Sequence, residues 1–161
     1  MADTPDPLRA QLARFLDWGD AHVGFDTAVV GIPVDKRGAQ PQGFAHSPWQ
    51  LLEHMRVAQK DILEFSVSPT YVHGLTWPDD YWPKNPAPPD AAAWEDRIAD
   101  FKADREQLQQ LAGNQKVDLL APVPTGTADQ TVLRGILLAA DHTAYHVGQL
   151  VAVRRVLGTW R

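Results

Sequence analysis

His142 and His146 lie four residues apart in a stretch whose apolar residues recur at helical spacing. Residues at i and i+4 share one helix face, with Cβ atoms about 5–6 Å apart. Two imidazoles so placed can reach one ion at the usual metal–nitrogen distance of about 2.0–2.1 Å. Val132, Ile136, Ala139 and Ala140 lead up to the pair, and Gln149, Leu150 and Val153 follow it, so the rings continue an inward, largely apolar stripe. The pair alone is weak evidence, because hydrogen-bonded core histidines use the same spacing. His54 adds to it, three residues after Leu51 and four before Ala58 on the inward side of another helical segment. Three imidazoles in one core bring polar nitrogens that need partners. A shared divalent ion would satisfy one nitrogen on each ring. The other N–H of each ring then calls for an acceptor, for which Glu53, Asp61, Asp141 and Gln149 are candidates. Three protein nitrogens leave a coordination position open to water, as in catalytic zinc sites and unlike closed structural ones. Imidazole suits zinc, nickel, copper and iron alike.

Four amphipathic segments position these residues. The first opens at Asp6-Pro7, an N-cap followed by proline at the first helical position. Leu8, Leu12, Phe15 and Leu16 carry its period, which extends to Val23 and as far as Val29, ending at Gly31-Ile-Pro33. A long Gly-, Pro- and Gln-rich loop runs from there to His46. The second segment opens at Ser47-Pro48, shows Leu51, Met55, Ala58, Ile62 and Phe65 on its buried face, and stops before Ser68-Pro69. Between Pro69 and Pro89 stand six of the thirteen prolines together with Trp77, Tyr81 and Trp82. So much proline prevents a regular helix, and the aromatics imply a loop that packs onto the domain. The third segment starts near Asp90, uses Trp94, Ile98, Phe101, Leu108 and Leu111, and ends at Gly113-Asn114. The fourth follows Thr127-x-x-Gln130, which reads as a capping box, and runs from about Ala128 to Leu157 before Gly158. No segment alternates strictly. The expectation is an all-α four-helix bundle with long loops after helices one and two, residues 1–161 forming one domain.

Composition narrows the function. The formal net charge of −5 argues against a general nucleic-acid binder, which needs a basic face for phosphates. Arg154, Arg155 and Arg161 make a small positive patch that suits a helix C-terminus. The absence of cysteine excludes disulfides, thiolate zinc sites and cysteine nucleophiles. No apolar run approaches the roughly 20 residues of a membrane span, and the N-terminal Met1-Ala-Asp-Thr-Pro5 lacks the features of a signal peptide. These readings point to a cytoplasmic protein that binds neither nucleic acid nor membrane.

Ser47-Pro-Trp-Gln-Leu-Leu-Glu-His54 and Asp141-His-Thr-Ala-Tyr-His-Val-Gly-Gln149, in this order and at this separation, resemble the DinB-like (DinB/YfiT-like) four-helix bundles, a family of metal-dependent enzymes. The resemblance covers essentially the whole chain. It implies that His54 on the second helix and the His142–His146 pair on the fourth hold one divalent ion, zinc or nickel. It also implies a thiol-dependent transferase or a hydrolase acting on a small molecule, with the ion as Lewis acid. A non-catalytic protein with a structural or sensory ion is the alternative, and an interaction module whose histidines form a buried polar cluster is a third reading. A homodimer is compatible with bundles of this kind.

The remaining histidines are expected outside the centre: His22 at the edge of the core, His46 exposed ahead of the second helix, His73 on the proline-rich loop. Asp79, Asp80 and Tyr81 are expected in a solvated turn, and the six tryptophans as core and loop anchors.

Overall fold

A computed structural model describes residues 6–160, and the N-terminal residues 1–5 and Arg161 lie outside the described part. Its five α-helices are α1 (Pro7–Phe15), α2 (Phe25–Val29), α3 (Pro48–Val67), α4 (Ala93–Gly113) and α5 (Val132–Val156). No strand occurs among the described residues, in keeping with the all-α expectation.

The helix starts follow local chemistry. Asp6 accepts a hydrogen bond from the Leu8 amide and Pro7 follows it. Ser47 and Gln50 close a reciprocal capping box at the head of α3, which ends at Val67, before Ser68. Asp90 takes the amides of Ala92 and Ala93 and so opens α4 three residues later than its own position. At α5 the cap is Thr131, whose hydroxyl accepts from the Arg134 amide, four residues beyond the Thr127 cap expected from sequence. Thr127 and Gln130 do bond, through the Thr127 amide and the Gln130 side-chain oxygen, but within a turn. The Gln130 carbonyl is committed to the Val123 amide and Thr131 pairs with Pro122, so the backbone there is spent on a short antiparallel contact and cannot begin a helix.

The first segment is also shorter than its apolar period implies. The chain leaves α1 after Phe15 and turns through residues 16–24 before the single turn of α2. Gly19 and Gly24 weaken helix there. The guanidinium of Arg105, buried on α4, binds Asp17 (2.7 Å) and Asp26 (3.0 Å), pinning the turn on both sides.

Helix α3 is central, packing along both α4 and α5, while α1 lies on α4 and α2 on α5. One core cluster joins Phe25, Trp49, Leu52, Met55, Trp94, Phe101 and Leu150, with the Phe25 and Phe101 rings stacked at 3.8 Å. A second joins Leu12, Leu63, Leu108, Leu119 and Ile136. Each of these buried side chains contributes roughly 1.5–3 kcal/mol relative to exposure. Among the tryptophans, Trp49 and Trp94 are core residues as expected, whereas Trp18 and Trp77 are exposed.

Helices α3 and α5 approach closely at Gly135. A Cβ there would strike the Ser66 hydroxyl, which is bonded to the Ile62 carbonyl at 2.7 Å. Gly135→Ala is therefore expected to destabilise by about 1 kcal/mol: overpacking of about 1–3 kcal/mol, less about 1 kcal/mol of gained helix propensity. Adding Ser66→Ala should restore stability. Urea midpoints of the single and double variants check this, and equal midpoints for wild type and Gly135→Ala would show that the crossing is not tight.

No described helix is long and apolar enough to cross a membrane.

Candidate metal centre

The two helices that pack most extensively carry the three histidines: His54 on α3, His142 and His146 on α5. His54 and His146 are buried, at 1% and 6% exposure, and His142 is half-buried. Their Nε2 atoms converge. His54 Nε2 stands 3.0 Å from His146 Nε2 and 3.0 Å from His142 Nε2. The potential ligand atoms of all three lie within 4.8 Å of one another. Two ligand nitrogens of one ion, each at about 2.0–2.1 Å, can be at most about 4.2 Å apart, so both 3.0 Å separations suit a common ion.

The protons on these rings are fixed from behind. His54 Nδ1 faces the Tyr81 carbonyl at 3.0 Å, and a carbonyl only accepts, so this nitrogen bears the hydrogen. His146 Nδ1 faces the side-chain oxygen of Gln149 at 2.7 Å. With its oxygen toward His146, the Gln149 amide donates through its nitrogen to the Tyr145 hydroxyl at 3.1 Å; a hydroxyl both donates and accepts, so this contact accommodates the orientation without selecting it. In this amide orientation both neutral rings direct Nε2 lone pairs at each other across 3.0 Å, with no proton between them. Even if His142 donates to His54, the His54–His146 contact stays electron-rich and unsatisfied. A cation at the convergence point resolves it.

Burial acts in the same direction. Desolvation pushes the His54 imidazole down from its ordinary 6.5 to about 4, partly opposed by the Tyr81 carbonyl. His142 is pushed down to about 3, again chiefly by burial and then by the neighbouring imidazoles. His146 is lowered by burial as well. At neutral pH all three rings are in the uncharged form that a metal requires.

The proline-rich loop after α3 makes one wall. Trp82 lies parallel to His54 at 3.7 Å and parallel to His46 at 3.7 Å. The centroids of the two fused rings of an indole are too close for two imidazoles to share one face at that distance, so Trp82 is sandwiched between the histidines. The loop is docked along one stripe of α3. The Ser47 hydroxyl donates to the Pro86 carbonyl, the Gln50 amide to the Pro83 carbonyl at 2.9 Å, and His54 to the Tyr81 carbonyl. Asp61, two turns further on, takes the hydroxyls of Tyr71 and Tyr81, each at 2.6 Å.

A family model for the DinB superfamily matches residues 21–150. The chain belongs to the DinB superfamily. The stretch matched by the DinB model begins ahead of α2, ends within α5 and contains all three histidines. No curated protein matches the chain.

Several expectations for this DinB chain need correction. His46 is not free on the surface: it is half-buried and stacked on Trp82. His22 does not reach the core edge, because the chain leaves α1 at Phe15 and carries His22 out on an exposed turn. Tyr81 is buried and not part of a solvated turn; Asp79 and Asp80 are exposed. His73 lies on the loop as expected, where it is exposed, with Nδ1 donating to the Tyr71 hydroxyl at 2.8 Å. Of the acceptors weighed for the ring N–H groups, Gln149 serves His146. Glu53 pairs with Arg56, and Asp141 is exposed. The acceptor for His54 is the Tyr81 backbone carbonyl, and a main-chain acceptor has no signature in residue type. The proline- and aromatic-rich composition of residues 69–89 was the available signal that this loop would pack near the site.

Proposed function

We propose that His54, His142 and His146 hold one divalent transition-metal ion, zinc or nickel, between α3 and α5. We further propose that this centre serves a metal-dependent transferase or hydrolase acting on a small molecule. The observation that carries the metal reading is the convergence of the three imidazoles, with His54 Nε2 3.0 Å from both His142 Nε2 and His146 Nε2 while its Nδ1 is committed to the Tyr81 carbonyl. Membership of the DinB superfamily supports it. In the same reading α1, α3, α4 and α5 are the four helices of a bundle, and α2 is an extra turn in the first connection.

When bound, the ion supplies Lewis-acid polarisation of a substrate oxygen or sulfur. The chain's own contribution is to keep three imidazoles uncharged and aimed. The Tyr81 carbonyl holds the His54 proton on Nδ1, and the Gln149 side-chain oxygen faces Nδ1 of His146, placed to do the same. Trp82 shields one face of His54. Half-buried His142 lies on the more open side of the cluster. No carboxylate hydrogen-bonds any of the three rings among the described contacts. The transferase reading in which a thiol binds the ion directly asks least of a separate general base.

Calorimetric titration of chelator-stripped protein with zinc and with nickel is expected to give one ion per chain. Metal well below one equivalent after reconstitution would overturn the metal reading. Turnover in thiol-conjugation or ester-hydrolysis assays that depends on added ion would support the enzyme. Inertness of fully loaded protein across both panels would leave the ion as a structural clip. The position of the ligands on the two most extensively packed helices favours that second reading.

A further inference from the structure

Asp61 is seven residues after His54 on α3, two helical turns away and on the same side of the helix. Its two carboxylate oxygens are both used. One takes the Tyr71 hydroxyl and the other the Tyr81 hydroxyl, at 2.6 Å each. These are short, charge-assisted bonds. Burial and the Asp61 charge raise both phenols above their ordinary range, so both stay protonated donors. Tyr81 is buried, and its backbone carbonyl is the group that takes the Nδ1 hydrogen of His54. One residue later Trp82 stacks on the same imidazole. The arrangement is a closed circuit: α3 through Asp61 to the Tyr81 hydroxyl, along one residue to its carbonyl, and back to α3 at His54. A helix and a clasped loop fix the carbonyl relative to the ring more rigidly than a free loop could.

We infer that Asp61 is a positioning residue for His54: by anchoring the Tyr81 side chain it holds the Tyr81 carbonyl where it keeps the His54 proton on Nδ1 and leaves Nε2 free to bind a cation. The purpose of this device rests on the metal centre proposed above, but its geometry does not. Tyr71 provides the internal control. It bonds the same carboxylate at the same distance, yet the backbone carbonyl that meets His54 Nδ1 is that of Tyr81.

The test reads the His54 tautomer by long-range proton–nitrogen correlation on metal-free protein, and zinc affinity by competition with a chromophoric chelator. Wild type is expected to show His54 in the Nδ1–H form. Asp61→Ala and Tyr81→Phe should each shift His54 toward a mixture of tautomers and weaken zinc binding by more than about threefold, and by at most the roughly 10–100-fold lost when a partner behind a ligand histidine is removed outright. Asp61→Glu should partly restore both, and Tyr71→Phe should leave the tautomer unchanged and the affinity within about threefold of wild type. Tyr81→Phe removes a single oxygen and keeps the ring, so it tests the circuit even if Asp61→Ala folds poorly. An unchanged tautomer in Tyr81→Phe, or an equal shift in Tyr71→Phe, overturns the inference. If wild type binds no zinc while the tautomer still shifts in Asp61→Ala and Tyr81→Phe, the positioning role stands and the metal reading falls.

Discussion

Replacing His142 by alanine is expected to lower affinity for zinc or nickel by more than about 100-fold, because losing a ligand costs more than losing a partner behind one, itself worth about 10–100-fold. The same change should leave the melting temperature of the metal-free protein nearly unaltered. His142 is half-buried, and its Nε2 adds a third nitrogen to an already crowded cluster. Its removal deletes little packing and at most one contact to the His54 ring. His54→Ala would also lose the ion, but it empties a site that is 1% exposed and unstacks Trp82, so destabilisation would confuse the result. His142 thus separates binding from folding. Calorimetric titration paired with thermal melts of both metal-free proteins decides the matter. Undiminished affinity in His142→Ala would remove this residue from the ligand set.

The metal-free protein is also expected to lose stability as pH falls from about 6.5 to about 4. Each imidazole of the triad is harder to protonate in the folded state than in the unfolded chain, because burial disfavours its charge. Between the two values the unfolded chain binds more protons, and stability falls with pH. The stabilisation is fully present above the ordinary value of 6.5. For His54, a displacement from 6.5 to about 4 corresponds to ~3 kcal/mol at about 1.36 kcal/mol per unit. His142 continues the loss to about pH 3. The two rings touch, so their contributions do not add. Asp26, held below the usual carboxylate range by Arg105 and Lys102 against the opposing effect of burial, adds a loss only at lower pH. Urea unfolding at intervals from pH 7.5 to 4.5 reads the slope. Stability independent of pH across that range would contradict buried, neutral imidazoles. Saturating zinc should steepen the dependence, since protons and the ion compete for the same nitrogens.

The sequence made some of this visible and hid the rest for identifiable reasons. Both ends of α3 were legible because Ser47-Pro48 and Ser68-Pro69 are local signals, and local signals suffice for helix ends. The inward placement of His54, His142 and His146 followed from helical period alone. The early end of α1 was hidden because Val23 and Val29 happen to prolong the apolar period. The contact that pins the turn after it comes from Arg105, 88 residues after Asp17. Thr127-x-x-Gln130 has the composition of a cap, but the contest with Thr131 is settled by the bond from Val123 to the Gln130 carbonyl. The Tyr81 carbonyl and the stacking of His46 on Trp82 arise only when the proline-rich loop docks, and residue type signals neither.

The sandwich of Trp82 between His46 and His54 has an optical consequence. Indole emission responds to a charged imidazole held against its face, and here each face meets a different imidazole. One face meets a ring in the proposed ligand set, the other a half-buried ring outside it. Loading the centre should alter the emission of Trp82 through His54, whereas acidification of the metal-free protein should alter it through both His46 and His54. The difference between wild type and a Trp82→Phe variant isolates that residue from the other five tryptophans. Repeating it in a His46→Ala background divides the two signals. The protein thus carries a built-in fluorophore flanked by two imidazoles, suited to following metal uptake at constant pH without a label.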